Sequence, residues 1–184
     1  MVSLATAGDI DAIVALNVEA YREFADRMTP DGWQKMEASI RSVEARTRST
    51  RFLVMRDQGA IVGSVGYCPA GKGSPEIFPQ DWAAVLVLAV APAHRGRGNA
   101  RALVSACIAC ARNDSAQVIG LFTSELMTAP NTSTSRSGFV ASVNSLRDSA
   151  FATGATSCTS KRHTSQCGKL VYLVYSVCLV CLVR

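Results

Sequence analysis

The first forty residues carry apolar side chains at helical spacing, interrupted by one proline. Asp9 has the side chain of an N-cap, and apolar residues follow it at three- and four-residue intervals up to Tyr21, which is typical of an amphipathic helix. Thr29-Pro30-Asp31 is a second start signal, because proline suits the first helical position. The apolar residues that continue this second stripe are Trp33, Met36, Ile40 and Val43. The pattern therefore predicts two successive helices.

The pattern then changes from helical spacing to short β-prone runs. Phe52 to Arg56 and Ala60 to Tyr67 are separated by Asp57-Gln58-Gly59, which predicts a hairpin. After a loop from Pro69 to Pro79, rich in glycine and proline, all residues from Ala83 to Val90 are apolar. Such a run is typical of a central strand that is buried on both faces.

A helix and a further strand follow this apolar run. The chain passes through Pro92 and a basic, glycine-rich segment, and from Ala100 the apolar spacing is helical again. The residues that set this spacing are Leu103, Val104, Cys107, Ile108 and Ala111. Val118 to Thr123 then predicts another strand. The order predicts an α/β domain in which a turn leads directly from a buried strand into a helix.

That turn, Arg95 to Ala100, is called the glycine turn below and is a candidate anion site. The N-terminus of a helix leaves N–H groups free and carries about half a positive charge, which suits a phosphate. Gly96 and Gly98 permit the torsions that direct successive N–H groups toward one point, and Arg95, Arg97 and Arg101 add positive charge. A di- or triphosphate is the ligand implied, unless the glycines only permit a tight connection.

The order of elements and the segment Val-x-Pro-x-x-Arg-Gly-x-Gly are similar to those of the GCN5-related N-acetyltransferases (GNATs). The family pattern of Gln or Arg, two residues, Gly, one residue, Gly or Ala is met at Arg95, Gly98 and Ala100. The resemblance covers roughly residues 1 to 130 in order and spacing. It implies the GNAT-type acyl-CoA N-acyltransferase fold, a mixed sheet splayed between its fourth and fifth strands, over residues 1–140.

The resemblance implies that acetyl-CoA lies in the splay as a cosubstrate. The pyrophosphate would lie on the N–H groups of the glycine turn, and the pantetheine would pair with the strand before it by strand addition. The binding residues so implied are Leu88, Ala89, Val90, Arg95, Gly96, Arg97, Gly98, Asn99, Ala100 and Arg101. The implied reaction is the attack of an amine, on a small molecule or a peptide, on the thioester of acetyl-CoA.

The residues that many relatives use for catalysis are not found at the expected positions, so the catalytic residues stay unknown. Ala83-Ala84-Val85-Leu86 carries no carboxylate where relatives place a glutamate. Asp81 and Glu76, just upstream, are either bases that act through water or solvated loop charges. Tyr21 and Arg22 are candidate acceptor-site residues, and Tyr21 is equally a candidate core contact.

The C-terminal part departs further from the family. Gly138-Phe139 matches the end of a Leu-Tyr-Glu-x-x-Gly-Phe motif, but Thr134 stands where relatives have the tyrosine that protonates the thiolate. Residues 141–184 form an atypical tail rich in Ser, Thr and Cys, which ends in an apolar segment, Leu170 to Val183, predicted to be a strand. Either this sequence is a genuine divergence, or the gene is read in a shifted frame, in which codons for Asn131 to Ser135 can encode His-Leu-Tyr-Glu. A catalytically impaired enzyme and an acetyl-CoA sensor are therefore both open.

Composition narrows the function classes without naming one. A length of 184 residues with 48% hydrophobic and 18% charged residues is typical of one folded domain, and a net charge of +5 suits an anionic ligand. A single Arg-Gly-Arg-Gly copy without interleaved aromatic residues does not favour nucleic-acid binding. Acidic residues interrupt the N-terminal segment, and the longest apolar run is shorter than a membrane span, so we expect a cytoplasmic protein with no membrane partner. Its oligomeric state, a homodimer included, stays open.

The seven cysteines include two Cys-x-x-Cys pairs, which are a candidate zinc set. The pairs are Cys107/Cys110 and Cys178/Cys181. The apolar residues between them suit a buried helix and a strand rather than the turns of a zinc site. We therefore expect buried thiols and no metal.

Overall fold

Six strands form one mixed sheet in the order β1-β2-β3-β4-β5-β6. The computed structural model describes residues 1–75, 78–124 and 136–142. All neighbouring strands are antiparallel except β4 and β5, which are parallel. The strands are β1 (Val2–Leu4), β2 (Arg51–Asp57), β3 (Ala60–Cys68), β4 (Ala83–Val90), β5 (Val118–Ser124) and β6 (Arg136–Ser142). The predicted strands before the glycine turn and after its helix are therefore confirmed.

In the described part of the chain, four α-helices accompany the sheet, and they confirm the helical stripes with one correction. They are α1 (Ile10–Tyr21), α2 (Pro30–Arg41), α3 (Val43–Arg46) and α4 (Asn99–Asn113). The second stripe was predicted as one helix that includes Val43, but α2 ends at Arg41, because Ser42 has a ψ of 29° outside the helical range, and Val43 begins α3. The Ser42 hydroxyl donates to the Ser39 carbonyl at 2.6 Å, a local bond that competes with helix continuation. Within the described residues, no helix is both long and apolar enough to cross a membrane.

The two predicted start signals differ in how they cap. Thr29 accepts a hydrogen bond from the backbone N–H of Gly32 at 3.2 Å, as an N-cap does. Asp9 immediately precedes α1, but its carboxylate caps the turn before the helix, because it accepts from the N–H and hydroxyl of Thr6 at 2.7 and 2.9 Å. The same carboxylate pairs with Arg56 on β2 at 2.7 Å. Asp9 therefore ties the start of α1 to the sheet.

The predicted hairpin is confirmed between β2 and β3. Gln58 and Gly59 both have positive φ, 47° and 86°, and Asp57 pairs directly with Ala60. Two central residues with positive φ give a turn whose twist matches that of the flanking strands.

The sheet is covered by α4 on one face and by α1 on the other. Alternate residues of β2 show this, because Leu53 belongs to the apolar cluster around Leu103 of α4, whereas Val54 belongs to the cluster around Ile13 of α1. α2 adds Ile40 to the α1 face. With helices on both faces, β4 has to be apolar on both sides, as its sequence predicts.

Candidate functional site

The sheet opens between β4 and β5 at the middle of β4. In the described part of the chain, the parallel ladder joins only Ala83–Val85 to Ile119–Leu121, although β4 continues to Val90. The second half of β4 therefore presents an edge that β5 does not cover. This region, beyond the pair of Val85 and Leu121, is called the splay below.

A β-bulge in β4 coincides with the start of the splay. The register between β3 and β4 shifts between Ser64 and Gly66, and Val87 has a φ of 47°. Positive φ is a strained conformation for a β-branched residue, and it is found mostly where function requires it. Val85 faces α4 before the bulge and Leu88 faces it after the bulge. These residues are three positions apart instead of two, so the bulge shifts the alternation of side chains between the two faces by one residue.

Hydrogen bonding identifies which backbone groups of β4 face the splay. The N–H of Ala91 donates to Val62 of β3 at 2.9 Å, and antiparallel pairs alternate, so Ala89 directs its backbone groups to Ser64 of β3. Leu88 and Val90 direct theirs to the other side. Of the three strand residues implied by the resemblance, Leu88 and Val90 therefore face the splay, and Ala89 faces β3.

Two side chains already occupy carbonyl groups on this edge. The Tyr21 hydroxyl donates to the Leu88 carbonyl at 3.0 Å, and Nε of Arg95 donates to the Val90 carbonyl at 3.3 Å. Tyr21 is buried, with 9% of its surface exposed. The core contact predicted as one alternative for Tyr21 is confirmed, and its hydroxyl also reaches the splay, whereas a role in binding the acceptor stays a prediction.

The glycine turn lies directly after β4 and leads into α4. Gly96 and Gly98 have φ values of 72° and 78°, a left-handed conformation that side-chain-bearing residues avoid. The helical ladder begins with the N–H of Ala102 donating to the Gly98 carbonyl at 3.0 Å, so the N–H groups of Asn99 and Ala100 precede it. A Cβ atom on Gly98 would meet nothing within 4 Å, which leaves room over the backbone. The geometry is that of an anion-binding helix N-terminus.

The three arginines of this region are placed differently. Arg97 and Arg101 are exposed at the turn and the first helical positions. Arg95 is half-buried, and its guanidinium pairs with Glu23 at 2.9 Å, beyond the end of α1. Proximity in sequence therefore did not predict which arginines surround the turn.

A second interaction fixes the entry to the glycine turn. The Asn99 side chain donates to the His94 carbonyl at 2.9 Å, and Nε2 of His94 lies 3.3 Å from the Asp57 carboxylate in the β2–β3 hairpin. Asn99, predicted as a binding residue, thus also closes the turn on itself. The hairpin tip supports the same loop.

Of the remaining candidate residues, the structure describes Arg22 and Asp81. Arg22 and Asp81 are exposed, and Asp81 lies in the loop before β4. Glu76, Thr134 and the predicted strand from Leu170 to Val183 lie outside the described residues. The catalytic residues therefore stay unassigned.

Sequence reasoning missed a buried polar pair beneath the splay. Asn17 and Ser64 are both fully buried, and the Ser64 hydroxyl donates to the Asn17 side-chain oxygen at 2.7 Å. Asn17 lies one turn before Tyr21 on α1, and Ser64 pairs with Ala89 of β4. In the sequence, the sign of this pair was Asn17, a polar residue inside the apolar stripe of α1. It did not indicate that Ser64 is the partner.

A separate open groove of about 580 Å³, called the N-terminal groove below, lies at the start of α1. Its lining comes from the loop after β1, the start of α1, and the region between α3 and β2, and includes Thr6, Glu44 and Arg51. It contains no residue of the splay or the glycine turn. We therefore retain the splay as the candidate site.

Two of the three described cysteines, Cys68 and Cys107, are buried thiols. Cys107 is fully buried in α4 and Cys110 is half-buried one turn later. Burial raises the pKa of the Cys107 thiol well above its ordinary value, which disfavours the thiolate that zinc binding requires. Among the residues that the structure describes, no three His, Cys, Asp or Glu side chains are grouped to hold a metal ion. Cys178 and Cys181 lie outside those residues.

Solved structures share this fold at low sequence identity. A histone acetyltransferase HPA2 and related acetyltransferase from Corynebacterium glutamicum is 24% identical, with a TM-score of 0.55, covering 73% of this chain and 90% of the other. A GNAT family acetyltransferase from Brucella melitensis, solved in complex with acetyl-CoA, is 21% identical, with a TM-score of 0.52, covering 66% and 73%. An N-acetyltransferase from Staphylococcus aureus Mu50 is 14% identical, with a TM-score of 0.52, covering 78% and 98%.

The sequence itself gives the family. A search of curated proteins found no match. The model of the acetyltransferase (GNAT) family matches residues 11–132, which is more than half of the chain and includes all but the first residue of α1, β4 and the glycine turn. The chain therefore belongs to the GNAT acetyltransferase family.

Proposed function

We propose that this protein binds acetyl-CoA in the splay and transfers the acetyl group to an amine. The observation that carries the proposal is the open second half of β4, which ends directly at a helix N-terminus with positive-φ glycines. The Brucella melitensis protein of the same fold was solved in complex with acetyl-CoA, which supports the choice of ligand.

The chain offers a partner for each part of this ligand. The pyrophosphate would accept hydrogen bonds from the N–H groups between Gly96 and Arg101, with Arg97 supplying charge beside them. The pantetheine would lie along the open edge of β4 and pair with the backbone of Leu88 and Val90. The acetyl group would then lie near the bulge at Val87, next to the Tyr21 hydroxyl.

The proposed reaction is direct transfer. The acceptor amine, with a pKa of about 10, must first release a proton to solvent or to a base. Its nitrogen then forms a bond to the thioester carbon and gives up a second proton, the carbon–sulfur bond breaks, and the coenzyme A thiolate takes up a proton to leave as the free thiol. A thiol with a pKa of about 8.5 is a tolerable leaving group, so the transfer does not depend entirely on a positioned acid.

An acetyl-CoA sensor without turnover is the second candidate. The observation that favours it is the composition of β4, since Ala83 to Val90 carries no carboxylate to act as a base. The Tyr21 hydroxyl lies at the edge of the splay, but it donates its hydrogen bond to the Leu88 carbonyl. Binding would be retained in a sensor, and thiol release would be absent.

Two measurements separate these functions. Isothermal titration calorimetry with acetyl-CoA should give saturable binding that weakens in Arg97→Ala, whereas Arg48→Ala, an equal charge change at an exposed site outside the splay and the glycine turn, should bind like wild type. RNA in place of acetyl-CoA tests nucleic-acid binding. Free-thiol release with a panel of amines then distinguishes transfer from sensing. Absence of acetyl-CoA binding in the wild-type chain would refute both candidates.

A further inference from the structure

The guanidinium of Arg95 is used inside the protein, although the residue opens the glycine turn. Nη1 donates to both carboxylate oxygens of Glu23 at 2.9 and 3.0 Å, and Nη2 donates to the Ala20 carbonyl at 3.1 Å. Nε donates to the Val90 carbonyl at 3.3 Å. These four contacts involve all three nitrogens of the guanidinium. With 12% of its side chain exposed, Arg95 has little capacity left for a phosphate.

These contacts join two separate parts of the splay. Ala20 lies in the last turn of α1 and Glu23 just beyond it, whereas Val90 is the last residue of β4. Tyr21, the residue after Ala20, donates a hydrogen bond from its hydroxyl to the Leu88 carbonyl. The end of α1 is therefore fastened to two carbonyls of β4, both on the edge that faces the splay.

We propose that Arg95 is a positioning residue: it fixes the end of β4 and the start of the glycine turn against α1, and does not supply charge to the ligand. This inference rests on the proposed coenzyme A site and assigns a role within it. Glu23 has the same positioning role, because its carboxylate orients the guanidinium of Arg95 toward the Ala20 and Val90 carbonyls. A planar fork that donates in several directions suits this role better than a lysine would.

Neutralising Glu23 gives opposite results under the two roles. If Arg95 served as charge, Glu23→Gln would remove a neighbouring negative charge, free the guanidinium, and tighten coenzyme A binding. If Arg95 positions the turn, Glu23→Gln loosens it and weakens binding, by about fivefold for the loss of one charge-assisted contact. Glu37→Gln is the matched control, because Glu37 pairs with Arg41 within α2 and the charge change is the same.

Calorimetry with coenzyme A is the first test. We expect Glu23→Gln and Arg95→Gln each to raise the dissociation constant for coenzyme A about fivefold. The double variant should raise it no further, because both substitutions break the same Arg95–Glu23 interaction. Arg95→Lys, which can still reach Glu23 but lacks the fork, should lie between wild type and Arg95→Gln. Binding that is unchanged or tighter in Glu23→Gln would overturn the inference.

Hydrogen exchange of the unliganded chain is the second test, and it does not depend on the ligand. The N–H of Ala91 bonds to Val62 and that of His94 bonds to Ala91, so both report on the entry to the glycine turn. Positioning by Arg95 predicts exchange at least about fivefold faster at these amides in Glu23→Gln, and no change in Glu37→Gln. Equal exchange in Glu23→Gln and wild type would overturn the inference. If wild type fails to bind coenzyme A, the proposed function fails, and this measurement still decides the role of Arg95.

Discussion

Replacing Gly98 by alanine tests whether a ligand approaches the backbone of the glycine turn. Gly98 has a φ of 78°, and an added Cβ would meet nothing within 4 Å. The substitution therefore introduces no clash inside the protein, and its cost is torsional. A residue with a side chain pays about 1–2 kcal/mol in the left-handed region, and the lower entropy of the unfolded chain offsets about 0.4–1 kcal/mol. We expect a net loss of about 1 kcal/mol in the free energy of unfolding.

Gly59 offers a matched control for this substitution. It has a φ of 86° and also nothing within 4 Å of an added Cβ, but it lies in the β2–β3 hairpin. Gly59→Ala should therefore cost a similar amount of stability. Urea denaturation of both variants, followed by circular dichroism, measures this torsional cost with no ligand present.

The two variants should differ in ligand affinity. In Gly98→Ala the new methyl group stands where a pyrophosphate would approach the backbone, so we expect at least a tenfold loss of coenzyme A affinity, about 1.4 kcal/mol. Gly59→Ala should bind coenzyme A as the wild type does. Calorimetry on both folded variants checks this. Equal affinity of Gly98→Ala and wild type would refute a close approach of the ligand at this position.

Three further substitutions test the surrounding structure. Tyr21→Phe removes the hydroxyl donor to a β4 carbonyl and should lower the free energy of unfolding by about 1 kcal/mol in urea denaturation; no loss would mean that the bond does not hold β4. Leu103→Ala empties a fully buried position between α4 and the sheet, and should cost about 2–5 kcal/mol in the same assay, whereas a loss below 1 kcal/mol would contradict its central place in the core. The hydrogen bond from Arg56, followed by those from Thr6, lowers the pKa of Asp9 from 3.8 to about 2. Because a depressed pKa stabilises the fold above the unfolded value, this contribution is complete above pH 4 and is lost as the pH falls toward 2. Asp9→Asn should make the free energy of unfolding less dependent on pH in that window. If the free energy changed with pH as steeply as in the wild type, Asp9 would be excluded as the source of the dependence.

Local patterns in the sequence predicted the elements that build the site. The stripe after Asp9, the hairpin at Asp57-Gln58-Gly59 and the apolar run from Ala83 to Val90 each follow from side-chain spacing and turn chemistry, and each is found in the structure. The glycine turn could be located for the same reason, since its glycines and its helix are neighbours in sequence. The short edge strand β1 was missed, because three residues are too few for a periodic signal.

Features set by long-range contacts could not be predicted. The bulge at Val87 is hidden in a continuous apolar run, where a shift in alternation leaves no trace in the pattern. The partner of Arg95 is Glu23, 72 residues away, and nothing near either residue indicates the pair. The sequence therefore located the turn but assigned its first arginine to the ligand, whereas the structure pairs it with the end of α1.

The central claim is that coenzyme A lies with its pyrophosphate on the glycine turn, and backbone amide shifts test it most directly. A ¹⁵N-labelled sample titrated with coenzyme A should show its largest changes at the amides of Gly96, Gly98 and Asn99, with further changes at Leu88 and Val90. Amides of the N-terminal groove, such as that of Gly8, serve as the internal reference. Saturable changes confined to that groove, or no changes at the glycine turn, would contradict the account.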